Sequence, residues 1–249
     1  MKITDNINSW LEDKNRLILY ADIMGFKDTI FSNSHDILKR RLLKFKRSFE
    51  KRIKHLLTGN YMKYVQFSDS IIIVVNGIDS KMVRLVTKAG AILMHEAMKA
   101  GFPIKGVLSQ GMFTYDEGNQ LYFGRPLVDA ALLHDEIYYY GIVVHHSAEH
   151  IIKNNISIDC PYAISPICLK KGKTSHYHLF WNMLRINLSP GDITDTAVRW
   201  LEKIQESVSG APRIYIDNTM SIIKSASSHF AELVAIPTTT SKAISGYSL

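Results

Sequence analysis

Cysteine is nearly absent: Cys160 and Cys168 are the only two in 249 residues. That excludes a disulfide framework, a single bridge aside, and suits a reducing cytoplasm. No apolar run reaches the roughly 18 residues that a bilayer span needs. The stretch Met1 to Arg16 is polar and carries both charge signs, unlike a secretory signal. A cytoplasmic location with no membrane partner is therefore expected. There is no Walker loop, no Ser-His-Asp signature, no internal repeat and no low-complexity tract. Charged residues at 21% and hydrophobic ones at 46% exclude a disordered chain and allow a substantial core.

The formal net charge is +7. Nine cations, Lys39, Arg40, Arg41, Lys44, Lys46, Arg47, Lys51, Arg52 and Lys54, fall in one predicted helix and exceed the whole excess. A basic helix can bind RNA or an anionic surface. Here Leu38, Leu42, Phe45, Phe49 and Ile53 recur at spacings of three and four, so a solvated face over a buried stripe is the favoured reading. No DNA or RNA partner is expected.

Two acids carry the chemistry. Leu17-Ile18-Leu19-Tyr20-Ala21-Asp22-Ile23-Met24-Gly25-Phe26-Lys27 reads as a buried strand that ends in a carboxylate and then turns. A charge there needs a partner, and a hard cation is one; capping of a following helix is the plainer role. Tyr64-Val65-Gln66-Phe67-Ser68-Asp69-Ser70-Ile71-Ile72-Ile73-Val74-Val75 reads as two strands joined at Ser68-Asp69-Ser70. In a β-α-β-β arrangement the third strand lies antiparallel beside the first. Asp22 and Asp69 would then share one rim of the sheet and jointly hold two divalent ions.

The rest of the chain fits that frame. Strands are expected at about 17–23, 61–67, 70–76, 103–110, 120–123 and 141–145, and helices at about 35–57, 81–100 and 126–136. Ser34 is placed to cap the basic helix and Gly59-Asn60 to end it, with a loop over 24–34. The order β-α-β-β-α-β-β-α-β is an α+β, ferredoxin-like sandwich with additions: a mostly antiparallel sheet with helices on one face. A short helix over 147–154, an irregular β region over 159–190, and helices over 193–208 and 216–232 follow, before a polar tail from Thr238. The expected organisation is a leading segment (1–15), one catalytic domain (16–190) and a helical C-terminal extension (191–249).

With both acids placed, the motifs resemble those of class III nucleotidyl cyclases. Asp22-Ile23-Met24-Gly25-Phe26 is similar to their first metal motif, and Phe67-Ser68-Asp69-Ser70 to their second, usually Gly-Asp-Ser. Lys105-Gly106-Val107 with Gly111, and Tyr122-Phe123-Gly124 leading to Ala130-Ala131, resemble two further motifs in the same order. The departures are informative. The positions of the purine-reading Lys and Asp hold Val65 and Leu121, neither able to hydrogen-bond through its side chain. The transition-state Asn and Arg fall near Val128 and at Leu132. Either the site is silent or it serves another base. Phe-Ser-Asp-Ser, the Lys-Gly strand and Gly-Arg-Pro-Leu-Val-Asp-Ala resemble the pyrimidine cyclases of bacterial Pycsar anti-phage systems. That branch implies a homodimer with shared sites, a pyrimidine nucleoside triphosphate substrate, Mn or Mg, cyclic UMP or cyclic CMP as product, and a separate cyclic-nucleotide-activated effector.

The resemblance implies two cations on Asp22, Asp69 and the Ile23 carbonyl. Backbone N–H groups from Met24 to Lys27 are expected to hold terminal phosphates, with Gly25 allowing close approach; a plain turn at Gly25 and a core Phe26 explain those two equally well. Ser68, beside Asp69 in the second motif, is expected to contact the substrate. Lys105 and Arg125 are the candidate catalytic cations for charge on the phosphoryl oxygens. Lys105 interrupts an apolar strand and faces either solvent or the site; Arg125 opposes a helix dipole at a helix start. Tyr64 and Tyr122 flank the lost purine readers and would either stack on a base or, the favoured role, pack in the core. His145, His146 and His150 with Glu149, and His176 with His178, complete no zinc spacing and read as surface histidines. Asp135 and Glu136 read as exposed helix charges.

Overall fold

A computed structural model describes residues 10–184, 190–206 and 208–235. Most of the expected leading segment and the polar tail lie outside these residues. In chain order the elements are β1 (Lys14–Ile23), α1 (Phe26–Ser32), α2 (His35–Leu57), β2 (Met62–Phe67), β3 (Ser70–Val75), α3 (Ser80–Ala100), β4 (Ile104–Asp116), β5 (Leu121–Phe123) and α4 (Arg125–Glu136). There follow β6 (Ile142–Val144), α5 (His146–Lys153), β7 (Tyr162–Leu169), β8 (Gly172–Leu179), a 3-10 turn (Trp181–Met183), α6 (Pro190–Gln205) and α7 (Ala211–Ala235).

One sheet runs β2-β3-β1-β4-β6-β8-β7, with β5 folded back on β4. Neighbours are antiparallel except β4 and β6. The first four strands have the ferredoxin-like order, with β1 between β3 and β4. β1 is covered on both faces, which is why it reads as a continuous apolar run. Leu17, Leu19, Ala21 and Ile23 face the main core under α2 and α3, with Ile104, Leu108, Ile142 and Val144. Ile18 joins Trp10, Val74 and Phe113 on the other face, where Val107 and Val143 meet Ala130 of α4. The two long helices share one face as expected, and the shorter α4 lies on the other.

Local chemistry sets the boundaries. Asp79 caps α3 by accepting from the Lys81 and Met82 N–H groups at 2.8 and 3.1 Å, and Gly101 closes it at φ 76. Ser34 occupies the N-cap of α2 but makes no side-chain capping bond. Asn60 (φ 52), rather than Gly59, supplies the left-handed residue beyond that helix. The loop expected over 24–34 holds α1 instead; with seven residues and only Phe26 buried, it leaves no periodic signal. The irregular region expected over 159–190 holds the regular hairpin β7–β8, with residues 185–189 outside the described residues.

Between α2 and α3 sits a buried polar cluster. Glu96 accepts from Ser48 (2.5 Å) and Arg52 (2.7 Å), and lies 3.1 Å from the His95 ring. Ile193, Ala197 and Leu201 of α6, and Ile216 and Ile223 of α7, join the main core. Among the described residues no helix is long and apolar enough to cross a membrane.

Candidate active site

Side chains alternate along a strand, so Asp22 lies on the face of β1 opposite Ala21 and Ile23. Its neighbours across the sheet are Ser70 on β3 and Lys105 on β4. The β2–β3 connection is a two-residue turn, Ser68-Asp69, between paired Phe67 and Ser70. Ser68 takes φ 56, the positive angle that such a turn demands at its first corner. This explains why glycine is usual there in the cyclases it resembles. The Ile23 N–H donates to the Asp69 carbonyl at 3.1 Å and ties that turn to the end of β1. The two aspartates thus meet at one rim, as the topology argument required.

The Ser70 hydroxyl donates to Asp22 Oδ1 at 2.9 Å, and the Tyr20 hydroxyl lies 3.5 Å from the same Ser70 oxygen. Burial pushes the Asp22 carboxyl above its ordinary value; the Ser70 bond opposes this, Asp69 adds to it, and Lys105 again opposes. Asp22 is therefore an acid whose charge lacks full compensation. A divalent cation answers both its burial and the repulsion from Asp69, so this donor pair fits hard-metal binding. Ser70 would fix the orientation of one ligand.

Lys105 does not reach into open solvent. It is 4% exposed; its Nζ donates to the Ile137 carbonyl at 3.3 Å and sits 5.6 Å from the ring centroid of Tyr215. Burial lowers its pKa, while Asp135 and Asp22 raise it. His134, buried at the end of α4, packs edge-on against Tyr20 (5.3 Å). Burial and the nearby Lys105 charge drop it to about 4, so its imidazole is neutral at pH 7. Asp135 is exposed, as expected, yet its charge acts on Asp22, Tyr20 and Lys105.

The other expected site residues are placed as follows. Gly25 (φ 67) turns the chain from β1 into α1, and the N–H groups of Phe26 and Lys27 lie in its first turn, beyond any helical carbonyl. Met24 is different: its N–H already donates to the Pro103 carbonyl at 2.8 Å. The Phe26 ring is buried in the main core. Tyr64 faces α2: its ring packs edge-on to Phe49 (5.6 Å) and its hydroxyl donates to Glu50. That is the face away from Asp22, so Tyr64 packs rather than binds. Tyr122 packs on Tyr115 at 4.8 Å.

Arg125 pairs with Asp129 at 3.4 Å and is 84% exposed. The adjacent Pro126 carbonyl accepts from Ser109 at 2.7 Å, four residues along β4 from Lys105. That spacing is about 13 Å of strand. Within one chain Arg125 does not join Asp22.

Among the described residues no group of three or more His, Cys, Asp and Glu is placed to hold an ion. His178 is fully buried, not superficial, with Nε2 2.6 Å from the Ser165 hydroxyl. His145 caps α5, and His176 lies 3.7 Å from Glu149. Both cysteines are free.

Sequence reasoning missed Tyr20 and Ser70 beside Asp22, and also His134, which packs on Tyr20, and Tyr215, which packs on Lys105. Tyr20 and Ser70 were legible in principle: one lies two residues before Asp22 on the same strand face, the other follows Asp69. His134 and Tyr215 arrive through tertiary packing alone.

No protein-family model matches the chain, and no curated protein does. Solved structures do. The adenylyl cyclase CyaB from P. aeruginosa is 14% identical, with a TM-score of 0.52 over 68% of this chain and 94% of that one. The guanylate cyclase domain of RhGC from Catenaria anguillulae, solved with GTP, is 17% identical, with a TM-score of 0.51 over 68% and 97%. The non-canonical dimeric guanylyl cyclase domain of the RhoGC fusion protein from the aquatic fungus Blastocladiella emersonii is 16% identical, with a TM-score of 0.53 over 68% and 97%. The chain therefore has the fold of a class III nucleotidyl cyclase catalytic domain, with roughly a third of its length beyond that fold.

Proposed function

We propose that the protein is a nucleotidyl cyclase that converts UTP to 3′,5′-cyclic UMP and pyrophosphate. The observation that carries this reading is the convergence of Asp22 and Asp69 at one rim, with Ser70 bonded to Asp22, in a fold shared with adenylyl and guanylyl cyclases. Two divalent cations, Mg or Mn, held by the two carboxylates and the Ile23 carbonyl, would supply acidification of the ribose 3′-hydroxyl and neutralise charge on the triphosphate. The chain's own part is positional and electrostatic. Ser70 orients Asp22, the N–H groups of Phe26 and Lys27 receive phosphate oxygens, and Lys105 adds positive charge beside the acids.

A pyrimidine base is supported by what purine recognition would need. Val65 and Leu121 offer no hydrogen bond where the adenylate-reading Lys and Asp stand in the cyclases this sequence resembles. UTP is preferred to CTP by that resemblance alone. A homodimer is supported by an exposed apolar set on one region, Met112, Leu121, Phe123, Val128 and Leu132, each at least half exposed. Arg125, remote from Asp22 in its own chain, would then serve the partner's site. The resemblance further supports a role in anti-phage defence, with the cyclic nucleotide activating a separate effector.

One observation favours a second reading. Val128 and Leu132 are apolar and exposed where Asn and Arg would stabilise the transition state. A silent nucleotide-binding homologue would show nucleotide-dependent thermal stabilisation without turnover. The deciding experiment incubates the protein with each of the four nucleoside triphosphates and Mn, and seeks cyclic monophosphate by mass spectrometry. Cyclic UMP is expected from UTP, and its loss in Asp69→Ala. Absence of every product at high enzyme concentration rejects the enzyme.

A further inference from the structure

Lys105 shares a strand face with Asp22 and is almost wholly buried. A buried ammonium needs partners. One is the Ile137 carbonyl, and another is the π face of Tyr215. Tyr215 belongs to α7, far along the chain from every motif that builds the site.

The attachment of α7 at this point is specific. The Tyr215 ring stacks on Tyr138 (4.9 Å, 19°) and on Tyr140 (5.5 Å, 20°). One helical turn on, the Asn218 amide donates to the Tyr138 carbonyl at 2.7 Å, and the Thr219 hydroxyl accepts from the Tyr140 N–H at 2.8 Å. The helix therefore grips, by rings and by backbone, the segment that follows Ile137. Both partners of the Lys105 ammonium are held by α7, one directly and one through that segment.

We propose that Tyr215 is a positioning residue of the active site: α7 seats the Lys105 ammonium beside Asp22, where its charge supports the carboxylate pair. The inference deepens the cyclase reading and rests on it for its effect on turnover. Without the ring, the flexible lysine turns toward water, where its charge is screened from the acids. On this account the C-terminal helix is part of the catalytic apparatus, not an appendage.

The test uses the full chain with three replacements at position 215: Tyr215→Phe, pentafluorophenylalanine and Tyr215→Leu. Pentafluorophenylalanine keeps the ring's shape but reverses the quadrupole that attracts a cation, so it separates seating from folding. The first readout is acylation of Lys105 by an amine-reactive ester, followed by peptide mass spectrometry. The second is kcat and KM for UTP with Mn. Tyr215→Phe is expected to match the wild type in both. The other two are expected to acylate Lys105 several-fold faster and to lose about tenfold in kcat, with KM within about twofold. Equal behaviour of the phenylalanine and pentafluoro variants overturns the proposal. So does a fall in kcat with Lys105 still protected. If the wild type turns over none of the four triphosphates, the cyclase reading fails by itself, and the acylation pattern still decides whether Tyr215 seats the lysine.

Discussion

Removing the Ser70 hydroxyl tests the site through its best-defined bond. Ser70→Ala deletes a donor 2.9 Å from Asp22 Oδ1 and changes nothing else in the carboxylate pair. A hydrogen bond to a charged group contributes about 1.5–3 kcal/mol. That corresponds to a factor of roughly 10–150 in an equilibrium constant, and loss of a residue that orients a metal ligand typically weakens binding 10–100-fold. The direction follows from the electrostatics. Burial already pushes the Asp22 carboxyl up and the Ser70 bond pulls it down. Without the bond, Asp22 holds its proton more tightly and competes worse for a cation. The half-saturating Mn concentration for turnover should therefore rise about 10–100-fold, with activity recovered at high Mn. An unchanged Mn dependence would refute the claim that Ser70 orients a metal ligand.

Three further outcomes are expected. Because burial and Asp69 raise Asp22, its charge destabilises the metal-free fold; Asp22→Asn should raise the metal-free Tm while abolishing turnover, and a lowered Tm would contradict the site's electrostatics. Glu96 behaves in the opposite way: burial alone would raise it, but bonds from His95, Ser48 and Arg52 outweigh burial and hold it at about 2, against an ordinary 4.5. That shift contributes about 3 kcal/mol, present above pH 4.5 and lost as pH falls toward 2, so urea titrations should show wild type and Glu96→Gln converging over that window; a pH-independent gap would refute it. Ser68→Gly relieves a left-handed residue at φ 56 and should change stability by no more than about 1 kcal/mol in urea unfolding, with turnover retained.

The central strands β1, β3 and β4 were legible because they are largely buried and rich in apolar, mostly β-branched residues, a signal that survives without tertiary context. The meeting of Asp22 and Asp69 was legible for the same reason: strand order fixes register, and register fixes which ends touch. What the sequence concealed came from packing between distant segments. Lys105 interrupts an apolar strand and so reads as a residue facing either solvent or substrate, yet it is buried against Ile137 and Tyr215, which lie 32 and 110 positions further on. Tyr64 adjoins a position that reads a purine elsewhere, but strand alternation sends its ring to α2 and Glu50. The α1 helix escaped notice because seven residues with one buried side chain make no stripe. His178 looked superficial because a His-x-His pattern in a polar stretch says nothing about which strand covers it.

The claim on which the account stands is that Asp22 and Asp69 jointly hold two metal ions around a triphosphate. The most direct measurement is Mn binding by calorimetry and electron paramagnetic resonance in the presence of 3′-deoxy-UTP, which lacks the attacking hydroxyl. Two Mn ions per chain are expected in the wild type, with binding collapsing in both Asp22→Asn and Asp69→Asn. Undiminished binding of two ions in either variant would contradict it.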